Sequence, residues 1–330
     1  MGLNHGGQRA AAAYRYGIPV DRWLDVSTGI APWSWPVPDV PAQVWARLPE
    51  STRALCDAAG ACYGCAGERL LAVPGSQFAI RHIPATLAPA RVAIPVPGYA
   101  EHGRGWAEAG HRVYGYRDRH ALQALVGRVE HAVVINPNNP TAETVSSSAL
   151  HAFLRTLPGL LVVDEAFMDT GAHSLLPMLP ERGAVVLRSL GKFFGLAGLR
   201  LGFVAGDVAV RRALAARLEP WGVSHPAVWI GSRALADMVW QTRQRQRVLA
   251  AGQALADLLE RHLGAARVAQ AGLFATARFD DPQAAPAWFD RLARHGVLTR
   301  LGDDGHWLRL GLPGPGFQRL AGVFAALASA

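Results

Sequence analysis

The segment VLRSLGKFFGLAGLRLG at residues 186–202 contains Lys192, the only lysine in a chain where lysine and arginine together number 33. As surface charges the two side chains are roughly interchangeable. Only an amine, however, can lose its proton and condense with a carbonyl group to form a Schiff base. Lys192 is therefore a candidate nucleophile. The alternative is a single lysine left by chance in a sequence that favours arginine, and the count alone does not decide.

Polar side chains at the ends of predicted strands are further candidates. Asp164 ends the apolar run in LLVVDEAF, Asn139 lies in VVINPNNPT, and a stretch of small residues, Gly75, Ser76 and Gln77, leads into a helical pattern. Open α/β sheets bind ligands at the carboxyl ends of their strands. A buried carboxylate needs a cation or a proton donor, and small residues expose backbone N–H groups that suit a phosphate. Each residue also has an ordinary explanation, as a helix cap or a turn residue.

Short apolar runs alternate with helical stretches in the middle of the chain. The runs are RLLAVP, ARVAIPVP, HRVYGY, HAVVINP, LLVVDEAF, GAVVLRSL and RLGFVAG. This alternation predicts a mainly parallel sheet covered on both faces. Later runs, LFATARF, GVLTRLG and HWLRLGL, alternate with the helical PAWFDRLARHG and GFQRLAGVFAALA and predict a smaller α+β domain. We therefore predict an α/β fold with a loop-like N-terminal arm over 1–40, a large domain over 41–215 and a small C-terminal domain over 216–330.

Taken together, these motifs resemble the fold-type-I pyridoxal-phosphate enzymes, the aspartate aminotransferase superfamily, in the expected order over most of the chain. The resemblance implies pyridoxal 5′-phosphate as the cofactor, with Lys192 of the S-x-x-K motif as its Schiff-base residue. It also implies that Asp164 of D-E-A-F pairs with the pyridinium nitrogen, which keeps the ring protonated as an electron sink. Lys192 and Asp164 would then be the catalytic residues.

The same resemblance assigns further residues to the cofactor. The serine three residues before Lys192 and the arginine eight residues after it would bind the cofactor phosphate, together with the amides of the G-S-Q loop. The asparagine of N-N-P-T would bind the ring hydroxyl, and the tyrosine of VPGYAEH would stack on the ring. The predicted cofactor-binding residues are Gly75, Ser76, Gln77, Tyr99, Asn139, Asp164, Ser189, Lys192 and Arg200.

The two ends of the chain resemble one branch of the superfamily, the threonine-phosphate decarboxylases, which are close relatives of the histidinol-phosphate aminotransferases. LNHGGQRAAAAYRYG and LDVSTGIAPWSWP are similar to the H-G-G-N and D-F-S-x-N-I-N-P segments of that branch, and GVLTRLGDDGHWLRLGLP to its arginine pair. The resemblance implies that Arg309 binds the substrate carboxylate and Arg300 an anion of a phosphorylated substrate, as planar charged guanidinium groups can. It also implies that His5 and Gly29 bind substrate.

This branch implies decarboxylation of L-threonine O-3-phosphate to (R)-1-amino-2-propanol phosphate in cobalamin biosynthesis. The alternative is an aminotransferase acting on histidinol phosphate or a related phosphorylated amine, which would share every cofactor residue; the H-G-G opening distinguishes the two. A third possibility is a cofactor-containing module that binds without catalysis, which the lysine–aspartate pair disfavours. Because the sites of the superfamily form between two subunits, the resemblance also implies a homodimer.

Several positions depart from the family pattern. Gly29 and Ala31 stand where the decarboxylases usually have asparagines. Leu48 stands where a tyrosine usually reaches the cofactor phosphate of the neighbouring subunit, and Tyr63 is a candidate substitute. Phe167 replaces a tyrosine that binds the ring hydroxyl in many aminotransferases, and this change fits a non-transaminating branch.

The formal charge is +8, but the basic residues are scattered. The densest group, RQRQR at 243–247, follows a helical pattern typical of a solvated helix face, so we predict no nucleic-acid partner. A basic chain does attract small anionic substrates. Neither a membrane-spanning run nor a signal peptide is evident, which predicts a cytoplasmic protein without a membrane partner. Cys62 and Cys65 form a lone C-x-x-C, and no metal is predicted.

Overall fold

The computed structural model describes residues 6–328. Its α-helices are α1 (Arg9–Tyr16), α2 (Ala42–Ala46), α3 (Arg53–Tyr63), α4 (Ser76–His82), α5 (Ala100–Glu108), α6 (Arg119–Gln123), α7 (Ser147–Leu154), α8 (Val208–Ala215), α9 (His225–Ala236), α10 (Met238–Leu263), α11 (Ala284–Arg294) and α12 (Phe317–Ala328). Its strands are β1 (Leu24–Asp25), β2 (Leu70–Val73), β3 (Arg91–Pro95), β4 (Arg112–Tyr116), β5 (His131–Ile135), β6 (Leu161–Asp164), β7 (Ala184–Ser189), β8 (Gly202–Gly206), β9 (Arg267–Gln270), β10 (Phe274–Arg278), β11 (Val297–Leu298), β12 (Arg300–Leu301) and β13 (Trp307–Gly311).

The chain divides into two compact units. The large unit contains Trp35–Asn139 and Glu143–Thr242, and the small unit contains the described parts of Met1–Ser34, Pro140–Ala142 and Arg243–Ala330. The domain boundaries predicted from the sequence, at 1–40, 41–215 and 216–330, stay predictions. Among residues 6–328, no helix has both the length and the apolar character needed to cross a membrane.

The large unit is built on a mixed sheet of seven strands in the order β2-β8-β7-β6-β5-β3-β4. Strand β8 runs antiparallel to both of its neighbours, and the other neighbouring strands are parallel. Strands β5, β6 and β7 are buried along their whole length, as continuous apolar runs dictate for strands covered on both faces. Every strand predicted for this region is present, and the α/β fold with a mainly parallel sheet is confirmed.

The small unit contains an antiparallel sheet in the order β12-β13-β10-β9 and a parallel pair formed by β1 and β11. The predicted LFATARF, GVLTRLG and HWLRLGL strands are β10, β11 with β12, and β13, and both predicted helices are present as α11 and α12. In the antiparallel register, Arg300 of β12 lies directly opposite Arg309 of β13. The sheet therefore places side by side two cations that are separated in the sequence.

The prediction of a loop-like N-terminal arm is wrong over Arg9–Tyr16, because these residues form helix α1. The helix contains four consecutive alanines, the residue with the highest helix propensity. It ends at Gly17, which adopts the left-handed conformation at φ 68° and donates its N–H to the carbonyl oxygen of Ala13. The short helix was not predicted, because the flanking sequence is rich in Gly, Pro and Trp and is typical of loops.

The buried side chain of His131 on β5 predicts that stability depends on pH. Its Nδ1 accepts a hydrogen bond from the backbone N–H of Leu160 at 2.9 Å, so this nitrogen carries no proton. Burial, followed by the charge of His111, lowers the pKa of His131, although Glu130 acts in the opposite direction. Below about pH 6.5 this histidine then binds more protons in the unfolded chain than in the folded chain. We expect the free energy of unfolding, measured by urea titration, to fall between about pH 7 and about pH 5.

The variant His131→Asn keeps an acceptor near the position of Nδ1 but cannot titrate, so its stability should depend less on pH than that of the wild type. His173→Asn changes an exposed histidine and serves as the control, with the wild-type pH dependence expected. Equal slopes for the wild type and His131→Asn would contradict the assignment.

Candidate active site

Three neighbouring parallel strands of the large unit end at the same edge of the sheet. The backbone N–H of Asn136, just after β5, donates to the carbonyl oxygen of Asp164 at the end of β6, with a donor–acceptor distance of 2.8 Å. Strand β7 pairs with β6 and ends at Ser189. This register brings Asp164, Ser189 and the loop that contains Asn139 to the edge where the sequence predicts a cofactor site.

The carboxylate of Asp164 is buried and has hydrogen-bond donors at both oxygens. Oδ2 accepts from Nε2 of His102 at 2.9 Å, and Oδ1 accepts from the backbone N–H of Ala166 at 3.0 Å. His102 is only 1% exposed. Because a carboxylate only accepts hydrogen bonds, Nε2 of His102 carries the proton. These two bonds fix the orientation of the carboxylate, which is the requirement for a group that must meet one nitrogen of a cofactor ring.

His102 was missed by the sequence analysis. It lies in the first turn of α5, three residues after Tyr99, which immediately precedes the helix. The two rings are in edge-to-face contact, with their centres 6.3 Å apart. A histidine at this spacing from the predicted stacking tyrosine was the available signal.

A chain of hydrogen bonds orients Tyr99. Its hydroxyl donates to Oε1 of Gln77 at 2.9 Å, and Nε2 of Gln77 donates to Oε2 of Glu101 at 3.1 Å. Burial, followed by the negative charges of Glu101 and Asp164, raises the pKa of Tyr99 to about 12. Tyr99 therefore stays a neutral phenol at neutral pH, which suits a stacking role.

The start of α4 lies so close to Arg200 and to the first residue of β8 that there is no room for a side chain at Gly75 or Gly202. A Cβ on Gly75, whose φ is +80°, would lie 2.8 Å from Nη2 of Arg200. A Cβ on Gly202 would lie 2.6 Å from the backbone nitrogen of Ser76. Arg200 itself has a φ of 53°, and its Nη1 donates to the carbonyl oxygen of Ala197 at 3.1 Å. The arrangement puts a guanidinium group and backbone amides together, and these are groups that fit the cofactor phosphate.

We expect Gly75→Ala to weaken the binding of pyridoxal 5′-phosphate about tenfold or more, because the new methyl group displaces Arg200 and strains a left-handed backbone position. Gly198→Ala is the matched control, since a Cβ at Gly198 meets nothing within 4 Å. Cofactor titration by fluorescence or absorption gives the dissociation constants. Unchanged affinity in Gly75→Ala would contradict the assignment of this loop to the phosphate.

Lys192 lies on the loop after β7, three residues beyond Ser189. Its Nζ is 5.5 Å from the centre of the Phe167 ring, which is buried. The next two residues, Phe193 and Phe194, are fully buried, and their rings are in contact with centres 5.3 Å apart. These aromatic side chains anchor the loop in the core, so that Lys192 is carried by a well-packed backbone.

A buried ionic cluster ties the ends of β6 and β7 together. Arg188 binds Glu165 at 3.2 Å and Asp169 at 2.8 Å. Burial opposes its charge, but the charges of Asp169, Tyr63 and Glu165 raise the pKa of Arg188 overall. The guanidinium group also lies 4.3 Å from the centre of the Tyr63 ring.

Tyr63 was the candidate substitute for the missing tyrosine near position 48. It is only 7% exposed, whereas Leu48 is 60% exposed. A side chain that reaches a neighbouring subunit must be accessible at the surface of its own chain, so the structure argues against Tyr63 in this role.

The described residues predicted to bind substrate, Gly29, Arg300 and Arg309, belong to the small unit. Burial, followed by the charge of Arg300, lowers the pKa of Arg309 to about 10, and burial also lowers the pKa of Arg300. Both groups are still protonated at neutral pH, so the pair would gain from a bound anion. Gly29 is buried in this unit, and His5 lies outside the described residues. Within those residues, no group of three or more His, Cys, Asp and Glu side chains could hold a metal ion.

Comparison with known proteins identifies the class. The model of the aminotransferase class I and II family matches residues 45–316, and the chain belongs to this family. The chain is 45% identical to the threonine-phosphate decarboxylase of Pseudomonas aeruginosa over 315 residues, which cover 94% of this chain and 93% of that relative. It is 40% identical to the threonine-phosphate decarboxylase of a Sinorhizobium species, with 98% of both chains covered.

A solved structure has the same fold. The histidinol-phosphate aminotransferase of Sinorhizobium meliloti, in complex with pyridoxal-5′-phosphate, superimposes with a TM-score of 0.82 at 21% identity, with 99% of this chain and 96% of that chain covered. The predicted fold-type-I architecture is therefore confirmed. Membership of the family confirms pyridoxal 5′-phosphate as the cofactor.

Proposed function

We propose that the protein is a pyridoxal-phosphate-dependent carboxy-lyase that converts L-threonine O-3-phosphate to (R)-1-amino-2-propanol phosphate and CO₂ in cobalamin biosynthesis. The observation that carries this proposal is the pair of arginines, Arg300 and Arg309, opposite each other on β12 and β13. This pair suits a substrate with two anionic groups, and L-threonine O-3-phosphate carries a carboxylate and a phosphate. The near-full-length relatives named threonine-phosphate decarboxylase support the same substrate.

The residues of the large unit would hold the cofactor. Arg200, Ser189 and the backbone of Gly75–Gln77 would bind its phosphate. Lys192 would be its covalent attachment point. When bound, pyridoxal 5′-phosphate supplies an electron-accepting ring that stabilises the negative charge left on the substrate α-carbon.

Three further side chains would tune the cofactor. Asp164 would meet the ring nitrogen with a carboxylate that His102 holds in place by the hydrogen bond of 2.9 Å. Tyr99 would stack on the ring as a neutral phenol, and Asn139 would bind the ring hydroxyl. Phe167 offers no hydrogen bond to that hydroxyl, which leaves Asn139 as the group assigned to it.

The two arginines would determine which bond at the substrate α-carbon is oriented for cleavage. Arg309 would bind the carboxylate of the substrate and Arg300 its phosphate, with His5 and Gly29 as further substrate-binding residues. Two fixed anions restrict rotation of the substrate, and the bond orientation at the α-carbon follows from that restriction. After CO₂ leaves, the amine of Lys192 would return a proton to the α-carbon.

We also propose that the protein is a cytoplasmic homodimer. The resemblance to the superfamily supports the dimer, as do the exposed side chains of Trp45, Leu48 and Trp221 on the large unit. Cys56, Cys62 and Cys65 are thiols rather than halves of disulfides, which suits a reducing compartment. Light scattering coupled to size exclusion measures the mass in solution, and a monomer would contradict the dimer.

The test of the function uses purified protein with pyridoxal 5′-phosphate in two parallel assays. One contains L-threonine O-3-phosphate and follows CO₂ and the amine product; the other contains histidinol phosphate with 2-oxoglutarate and follows glutamate. We expect CO₂ and aminopropanol phosphate in equal amounts, and little glutamate. Glutamate without CO₂ would assign the protein to the aminotransferase branch. The absence of both products would favour a binding module without catalysis.

A further inference from the structure

Ser27 has hydrogen bonds to three separate parts of the small unit. It is 2% exposed. Its Oγ donates to Oδ1 of Asp25 at 2.6 Å and accepts from the backbone N–H of Gly7 at 2.7 Å. Its carbonyl oxygen accepts from Nη2 of Arg309 at 2.6 Å. One residue therefore connects the start of the described chain to the arginine proposed to bind the substrate carboxylate.

The backbone around Ser27 is held firmly in place. Strand β1 pairs with β11, and just beyond β1 the N–H of Val26 donates to the carbonyl oxygen of Leu298 at 2.9 Å. On the other side, the N–H of Gly311 donates to the carbonyl oxygen of Val26 at 2.7 Å. Oδ1 of Asp25 also accepts from the N–H of Ser27 at 2.9 Å. The backbone of Ser27 is thus fixed by hydrogen bonds of its neighbours to two other segments of the small unit.

Each of the two glycines of the H-G-G motif is required at this contact for a different physical reason. A Cβ on Gly6 would collide with the carbonyl oxygen of Ser27. Gly7 has a φ of +85°, which side chains rarely tolerate. Close approach at the first glycine and a left-handed backbone at the second let the N–H of Gly7 reach the Ser27 hydroxyl.

We propose that Ser27 is a positioning residue for substrate binding. Its hydroxyl, oriented by Asp25, holds the Gly6–Gly7 segment, and its carbonyl oxygen holds one nitrogen of Arg309. The N-terminal segment and the guanidinium group are thereby set by one residue. This inference rests on the proposed function, because it treats Arg309 as a substrate-binding group.

The first test is the kinetics of Ser27→Ala, which removes the acceptor for Gly7 but leaves the carbonyl oxygen. We expect KM for L-threonine O-3-phosphate to rise about tenfold, the effect of losing one buried hydrogen bond, with kcat changed less than about threefold. Ser27→Thr keeps the hydroxyl and should restore most of the affinity. The dissociation constant of pyridoxal 5′-phosphate should not change, because the residues proposed to bind this cofactor lie in the large unit. Ser148→Ala, at an exposed serine, is the control.

The second test is hydrogen exchange of the backbone amides, which needs no turnover. The peptide that contains Gly7 should exchange faster in Ser27→Ala than in the wild type and Ser27→Thr, whereas peptides from residues 184–206 should not change. Unchanged exchange, or faster exchange and a lower Tm with unchanged KM, would overturn the proposal. If Ser27→Ala does not fold, Asp25→Asn serves instead, and it should raise KM and speed exchange of the same peptide.

The two proposals fail in different ways. If the wild type forms glutamate rather than CO₂, the proposed function is wrong, and Ser27 is then tested by KM for histidinol phosphate and by exchange. If the wild type releases CO₂ and Ser27→Ala behaves as Ser148→Ala does, the function stands and the role of Ser27 is wrong.

Discussion

Lys192→Arg is expected to abolish covalent binding of the cofactor and to lower turnover by at least about 10³-fold. The substitution keeps the positive charge and much of the side-chain length, so it isolates the property that a guanidinium group lacks, which is an amine able to lose its proton and form a bond to carbon. Reduction of the protein with borohydride, followed by intact mass measurement, detects the cofactor fixed to the chain.

The presence of a single lysine makes this experiment unusually simple to interpret. In the wild type, peptide mapping should place the reduced cofactor on Lys192 and on no other side chain. Arg182→Lys adds a lysine at an exposed position and controls for non-specific attachment. Full activity in Lys192→Arg, or labelling of the added lysine in preference to Lys192, would contradict the assignment.

Arg309→Met is expected to lower kcat/KM for L-threonine O-3-phosphate by about 30- to 1,000-fold, which corresponds to about 2–4 kcal/mol for the loss of a buried, charged partner of the substrate. Arg309→Lys should recover only part of this loss, because an ammonium group cannot bind a carboxylate through two parallel hydrogen bonds. Steady-state kinetics of the three proteins measures both effects.

The stability of Arg309→Met should not fall together with its activity. Burial and the neighbouring Arg300 lower the pKa of Arg309 to about 10, so its charge is disfavoured in the folded chain. Because the group is protonated at pH 7 in both folded and unfolded chains, this cost is fully present at neutral pH. We expect the Tm of Arg309→Met to equal or exceed that of the wild type. Arg278→Met, at an exposed arginine on β10, is the control for both measurements. Unchanged kcat/KM in Arg309→Met would contradict the proposal that Arg309 binds the substrate.

The strands of the large sheet, and the polar residues at the ends of these strands, could be predicted from the sequence. The strands β5, β6 and β7 are continuous apolar runs, which only a sheet covered on both faces can bury, and Asp164 and Ser189 end two of them. Helix α1 was missed because eight residues between glycine-rich segments give a weak local signal.

The contacts of the site residues could not be predicted in the same way. His102 is 62 residues from Asp164, and Ser27 is 282 residues from Arg309. Such pairs form only when segments that are distant in the sequence come together, and neither helical nor strand periodicity encodes which distant side chains will meet. The pairing of β1 with β11 is a further contact between segments that are far apart in the sequence.

The NMR spectrum of the product formed from L-threonine O-3-phosphate in D₂O tests the decarboxylation itself. A decarboxylase replaces the carboxylate with a proton from solvent, so we predict aminopropanol phosphate with one deuterium on the carbon that bears the amine. The same spectrum from Lys192→Arg should show unreacted substrate. A ketone product, or recovered substrate that has exchanged its α-proton but kept its carboxylate, would rule out the proposed decarboxylase activity.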